Sequence, residues 1–186
     1  MPKRIFLPIL VALLTLVLIV ALFGGTNRQA LTEAPVVVAP LIEPREVVLY
    51  FVDSTGLQLA AEEREIAGCN DERQCIAQTL TALAEGSAEL QAVIPARTRV
   101  LGIDIVQDLA TINLSRELSD HHPGGSLSEL LSIYSVANTL RVNFPYLRSF
   151  QFLIDGEKRK TLRGHVDISG PIEADFRLLP SSQVDG

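Results

Sequence analysis

The residues best suited to chemistry lie together in one stretch, SDHHPGGSLSEL, at positions 119–130. Two adjacent histidines, His121 and His122, are followed by the turn-forming residues Gly124–Ser126 and then by an apolar periodic run. Histidine is the commonest metal ligand, and a glycine-rich turn that opens a helix can bind phosphate through its free N–H groups. The stretch is therefore a candidate for a metal site or an anion site.

The spacing of these residues favours neither site. Adjacent imidazoles point apart along a strand or loop, whereas two metal-binding histidines on one helix face are separated by a full turn. Completing a metal site would need Asp120 and the distant His165, and the Gly124–Ser126 turn is not followed by a P-loop lysine. We therefore expect no metal, no cofactor, and an exposed loop at His121 and His122.

Ser126 and Glu129 instead have the S-x-x-E spacing of a helix capping box. Apolar residues recur behind them at helical spacing, and they form a face wide enough to be buried. These residues are Leu127, Leu130, Leu131, Ile133, Tyr134, Ala137 and Leu140. We expect a helix that begins at Ser126, with Ser126 and Glu129 capping its N-terminus, and that ends before Pro145.

A serine nucleophile is a further candidate, at Ser115, Ser126 or Ser135, with His165 as its base. The chain contains no G-x-S-x-G sequence, the strand-to-helix turn that exposes the catalytic serine of α/β-hydrolases. His165 lies in RGHVDISGP, where a structural hydrogen-bonding role explains it better. We therefore expect no catalytic residue and no enzyme activity.

The secondary structure expected around these residues indicates one compact α+β domain, over residues 46–179. Apolar runs and alternation indicate strands, and helical periodicity after Asp71, stopped by Gly86, indicates a helix. The strands are VVLYFVD, LQLAAEEREI, VLGIDIV, LATINLS and a final pair that starts with SFQFLI. Asp155-Gly156 predicts a type I′ turn in that final hairpin. The order is ββα-ββα-ββ, a mainly antiparallel sheet with two helices packed on it.

The N-terminal residues 1–23 predict a transmembrane anchor ahead of this domain. Lys3 and Arg4 precede nineteen uncharged residues, 5–23, which span about 28 Å as a helix, close to one hydrocarbon core. A cleaved signal peptide is the alternative, although its apolar core is normally shorter and ends in small residues. The positively charged residues before the helix place the rest of the chain on the extracytoplasmic side of the inner membrane.

Three prolines then indicate a flexible linker over 24–45, and we expect residues 180–186 to form a disordered tail.

Cys69 and Cys75 close a loop of seven residues. In an oxidising compartment two cysteines at this spacing can pair, and the chain-entropy model assigns such a loop about 2 kcal/mol. Two free thiols are the alternative. We expect the disulfide, because it agrees with the predicted extracytoplasmic location.

Lys158, Arg159, Lys160 and Arg163 form the one basic cluster of an acidic chain, whose net charge is −6. The cluster lies on the predicted final hairpin and is a candidate interaction patch for an acidic partner, a lipid headgroup or an anionic polymer. A solvated hairpin whose charges discourage edge pairing is the alternative. The acidic balance argues against nucleic acid as a partner. The absence of tryptophan argues against sugar stacking.

Four segments, in this order, resemble the GerMN domain of spore germination proteins and envelope lipoproteins. They are VVLYFVDSTGLQLAAEEREI, IPARTRVLGIDIVQDLATINLS, GGSLSELLSIYSVANTL and FQFLIDGEKRKTLRGHVDISGPI. The resemblance covers about residues 47–176 and implies a small, non-enzymatic α+β module of the bacterial envelope, without catalytic residues to carry over. We expect a membrane-tethered interaction module that binds an envelope protein or a second copy of itself. Peptidoglycan or another anionic envelope polymer is the alternative partner.

Overall fold

The computed structural model describes residues 13–16, 18–19 and 43–180. Residues 13–16 and 18–19 are helical, whereas the rest of the predicted anchor, the linker up to residue 42 and the tail from 181 lie outside the described residues. Within the described ranges, no helix is long and apolar enough to cross a membrane. The chain divides into two units, Met1–Pro40 and Leu41–Gly186, and every described strand lies in the second.

The second unit begins with an antiparallel hairpin and a helix, as the sequence predicts. Strand β1 (Arg45–Val52) pairs with β2 (Leu59–Ile66), and helix α1 (Glu72–Glu85) follows. The Asp71 side chain accepts a hydrogen bond from the first turn of α1, and Gly86 ends the helix with a φ of 84°. Strand β1 starts one residue inside the predicted linker.

The second sheet has four strands in the order β3-β4-β5-β6. They are β3 (Val100–Val106), β4 (Leu109–Leu114), β5 (Ser149–Ile154) and β6 (Ile172–Glu173). The connection from β4 to β5 runs through a short helix, α2 (Glu117–Asp120), and a long one, α3 (Ser126–Asn143). The domain thus contains two sheets rather than one, and β4 and β5 pair in parallel.

The predicted final hairpin is only partly present. Asp155 and Gly156 form the expected tight turn, with φ values of 51° and 81°, and Ile154 and Glu157 exchange backbone hydrogen bonds across it. No strand begins directly after this turn, because the next residues, EKRK, offer no apolar alternation that the sheet could bury. The partner of β5 on this side is β6, far along the chain.

The core lies between the two sheets and the two long helices. Helix α1 packs against β1 and β3, while α3 runs along β1. The largest fully buried side chains are Phe51, Phe150, Phe152, Leu49, Leu59, Ile76, Leu80, Leu83, Ile112, Leu114, Leu118 and Ile133. Cys69 and Cys75 form the predicted disulfide, with Cα atoms 5.2 Å apart, and it joins the segment before α1 to the buried face of that helix.

Candidate functional site

Helix α3 carries a buried set of polar side chains between its apolar residues. The sequence predicted the apolar face of this helix, with Glu129 as a cap and Ser135 as a candidate nucleophile, but not the burial of its polar residues. The buried polar residues of the helix are Glu129, Ser132, Ser135, Asn138 and Thr139, each at most 2% exposed. Polar groups that lose water on burial need hydrogen-bond partners, and each of these finds its partner in another segment or in the helix itself.

The C-terminal half of α3 supplies hydrogen bonds to the outer edge of β1. The Tyr50 N–H donates to Thr139 Oγ1 at 3.0 Å, and Ser135 Oγ donates to the Tyr50 carbonyl at 2.5 Å. The Asn143 amide accepts from the Val48 N–H at 3.0 Å and donates to the Val48 carbonyl at 2.7 Å. The helix thereby takes the place of a neighbouring strand.

The N-terminal half of α3 holds the loop that follows β5 through one carboxylate. Glu129 is fully buried. Its Oε2 accepts from the N–H groups of Arg163, His165 and Val166, each at 3.1 Å, and its Oε1 lies 2.7 Å from His165 Nδ1. A single side chain thus fixes a four-residue surface segment, and His165 has the structural hydrogen-bonding role that the sequence suggested.

The predicted capping box is therefore wrong. Gly125, with a φ of 94°, is the residue that caps α3, and no side chain caps the first turn. Ser126 is exposed. The Glu129 side chain turns away from the helix N-terminus because the 163–166 segment offers it several N–H donors at once, more than a capping box provides.

Two opposing effects set the charge state of Glu129. Burial raises the pKa of the carboxyl, but hydrogen bonds from the His165 ring and from the three backbone N–H groups stabilise the carboxylate. The net result lowers the pKa from 4.5 to about 2. The group is ionised at neutral pH, and its negative charge is part of the folded structure.

The two histidines of the opening stretch have different surroundings. His121 is exposed as expected, whereas His122 is only 2% exposed, so the expectation of an exposed loop is wrong for His122. The His122 Nδ1 accepts from the Gly124 N–H at 3.0 Å, and its Nε2 lies 2.8 Å from Ser132 Oγ. The turn folds the imidazole inward against α3.

Arg163 joins the same region from the opposite side. Its Nη1 donates to three backbone carbonyl oxygens, at 3.0, 2.9 and 2.6 Å, which belong to Ser119, Asp120 and His122. The guanidinium thus connects the loop after β5 to the end of α2. Of the predicted basic patch, Lys158, Lys160 and Arg163 are exposed and Arg159 is half-buried, and its role as an interaction patch stays a prediction.

Residues 48–160 match a protein-family model, Germane, described as sporulation and spore germination. The match covers more than half of the chain. The chain belongs to the Germane family. The predicted resemblance to GerMN domains is thereby confirmed.

Solved structures agree with this assignment. The first GerMN domain of the sporulation protein GerM from Bacillus subtilis is 22% identical, with a TM-score of 0.54, over 75% of this chain and 99% of that one. The tandem GerMN domains of GerM give 13% identity and a TM-score of 0.56, over 77% of this chain and 50% of that one. A predicted lipoprotein from Clostridium perfringens is 27% identical, with a TM-score of 0.51, over 72% and 89%. No curated protein matches the chain.

One serine of the Germane domain does contact a histidine. Ser132, but not His122, lines a cavity of about 560 Å³, which lies between the end of β1, residues 91–96, His121, Pro123 and the first turns of α3. A catalytic serine needs a histidine whose nitrogen accepts its proton. Here Nδ1 accepts the Gly124 N–H, so Nε2 carries the hydrogen and donates it to Ser132. Burial also lowers the His122 pKa, which favours the neutral ring.

The serines that sequence analysis considered are engaged elsewhere or exposed. Ser115 Oγ accepts from the Arg99 N–H at 3.0 Å, Ser135 donates to β1, and Ser126 is exposed. Within residues 43–180, none of the three is hydrogen-bonded to His165, which is bound to Glu129. Among the described residues, no group of three or more His, Cys, Asp or Glu side chains is placed to share a metal ion.

Proposed function

We propose that this Germane domain is a non-catalytic module of the bacterial cell envelope that binds a protein partner. The observation that carries the proposal is that the side chains best suited to catalysis are buried and hydrogen-bonded within the domain. These side chains are Glu129, His122 and Ser132, and their hydrogen bonds hold loops in place. In the one Ser–His contact of the described residues, the histidine nitrogen that faces the serine carries a hydrogen, so it is unable to act as a general base. Such a domain acts through its surface.

The proposal also gives the domain a location. Residues 5–23 anchor the chain in the cytoplasmic membrane, and the linker 24–45 holds the domain on the extracytoplasmic side. The apolar run behind Lys3 and Arg4 supports this arrangement. The disulfide supports it as well, because disulfides persist in oxidising compartments. A similar protein from C. perfringens is itself a predicted lipoprotein.

A second candidate function is binding of an anionic envelope polymer, such as peptidoglycan. The observation in its favour is the loop 158–160, whose two lysines are exposed. The loop adjoins a cleft of about 490 Å³ that Arg159 and Arg163 line together with the end of α2. Asp120 also lines this cleft, and its carboxylate opposes binding of a polyanion.

Crosslinking of the full chain in intact cells tests the proposed function. We expect a discrete protein product, identified by mass spectrometry, that persists in the variant Lys158→Glu/Lys160→Glu. This variant should fold normally, because both side chains are exposed and such substitutions change stability by at most about 0.5 kcal/mol each.

The same variant separates the two candidate functions. Recovery of a glycan polymer with the wild-type chain, lost in Lys158→Glu/Lys160→Glu, together with the absence of any protein product, would establish polymer binding and overturn the proposed function. The matched control is Arg148→Glu, an exposed arginine outside the loop.

A further inference from the structure

The free strand edges of the domain differ in how they are protected. The outer edge of β1 is occupied by α3 side chains and by Gln91, which exchanges two backbone hydrogen bonds with Val52. Strand β3 has a register shift between Val100 and Gly102, and β6 is two residues long. Bulges and short length are devices that prevent pairing with another chain. Strand β2, in contrast, is eight residues long and regular throughout.

The backbone groups that β2 presents outward follow from its register with β1. Val48, Tyr50 and Val52 direct their N–H groups away from β2, towards α3 and Gln91. The β1 residues between them therefore hydrogen-bond to β2, and their partners are Ala60, Glu62 and Arg64.

The backbone groups of the alternate β2 residues Ala61, Glu63 and Glu65 therefore face outward. All three are exposed, and no described residue hydrogen-bonds to their backbone groups.

The charged side chains on one face of the β1–β2 hairpin are all acidic. Glu63 and Glu65 are exposed, and Glu46 lies opposite Glu65 in the register, on the same face of the hairpin. No cation among the described residues pairs with these three carboxylates, whereas Glu62, which points to the other face, is paired with Arg64. The edge therefore combines unused backbone groups with unneutralised charge.

We propose that the outer edge of β2 binds an extended, lysine- or arginine-rich segment of a partner protein as an added strand. The partner backbone pairs with residues 61–65, and its basic side chains lie beside Glu63 and Glu65. A second copy of this chain fits the edge poorly, because joining two such edges sets like charges against each other. The inference rests on the proposed function and specifies that the partner contributes an extended, basic segment.

The probe is a labelled Lys-Val-Lys-Val-Lys-Val-Lys peptide, titrated against the full chain in mild detergent and followed by fluorescence anisotropy. We expect Glu63→Lys/Glu65→Lys to weaken its binding at least tenfold and to bind the corresponding Glu-Val peptide instead. The control is Glu85→Lys, an exposed glutamate at the end of α1, which should leave binding unchanged.

A second variant separates strand addition from simple charge attraction. Ala61→Pro keeps every glutamate but removes an outward N–H, which an edge strand tolerates. We expect it to weaken peptide binding about as much as the charge reversal, with an unchanged unfolding transition. Unchanged binding in Ala61→Pro, or equal binding of the Lys-Val and Glu-Val peptides to the wild-type chain, would overturn the inference. So would a homodimer in sedimentation that Glu63→Lys/Glu65→Lys abolishes.

Failure of this inference can be told apart from failure of the proposed function. If the crosslinked protein product in cells persists in both β2 variants, the domain binds a protein through another surface. In that case the β2 inference is wrong and the proposed function stands. If no protein product forms in the wild-type chain, the proposed function itself is contradicted.

Discussion

Replacement of Glu129 by alanine is expected to lower the free energy of unfolding by about 3 kcal/mol, since it leaves three N–H groups of the 163–166 segment without their acceptor. Glu129→Gln keeps the volume and one acceptor oxygen, so its cost should be smaller. Urea unfolding of the wild-type chain and both variants measures these differences. The closely packed hydrogen bonds to one carboxylate, at 2.7 to 3.1 Å, are the physical reason for the large effect.

The matched control is Ser126→Ala. In a capping box this change would cost about 1 kcal/mol, but Ser126 is exposed and makes no cap in the structure. We therefore expect a change of at most about 0.5 kcal/mol. A loss of stability in Ser126→Ala as large as that in Glu129→Ala would show that the capping box forms after all.

The stability of the domain should depend on pH through the same carboxylate. The pKa of Glu129 is about 2 in the folded chain and 4.5 in its ordinary state. Its contribution is therefore fully present above pH 4.5 and is lost as the pH falls towards 2. The shift corresponds to about 3 kcal/mol. Urea midpoints measured down this pH range should fall less steeply in Glu129→Gln than in the wild-type chain.

The largest combined effect is expected where α3 meets β1. The triple variant Ser135→Ala/Thr139→Val/Asn143→Ala removes the side chains that pair with the backbone of Val48 and Tyr50. Four polar backbone groups then lose their partners, and we expect a loss of about 4 kcal/mol. Since small domains are stable by only about 5–15 kcal/mol, urea unfolding should detect the change readily.

A threonine on the other long helix provides the control for this variant. Thr81 on α1 donates to the Ala77 carbonyl at 2.8 Å and is exposed, so Thr81→Val should change the unfolding free energy by at most about 0.5 kcal/mol. If Thr139→Val costs no more than Thr81→Val, the side chains of α3 do not stabilise the edge of β1.

Local signals in the sequence predicted much of this fold. The Asp71 cap, the Gly86 stop and the Asp155-Gly156 turn depend on neighbouring residues only, and all three occur in the structure. The parallel pairing of β4 and β5 could also have been predicted. Their connection contains a long helix, and parallel strands require such a crossover.

The role of Glu129 could not be predicted in this way. The S-x-x-E rule compares residues three positions apart, whereas the actual donors to Glu129 lie 34 to 37 residues further along the chain. The polar residues Ser135 and Thr139 were similarly hidden, because their partner strand is 85 to 89 residues away. Periodicity identifies a buried helix face, but only the tertiary structure shows which strand edge forms hydrogen bonds with the polar residues on that face.

The most direct test of a non-catalytic role is the cellular function of Ser132→Ala, the variant that removes the one serine hydroxyl bound by a histidine in the described structure. The readout is the phenotype that deletion of the gene produces, measured against the amount of folded chain. We expect function to follow the amount of folded chain and the crosslinked protein product to be retained. Loss of function at wild-type abundance, with the crosslinked product intact, would make Ser132 a reactive residue and would overturn the non-catalytic role.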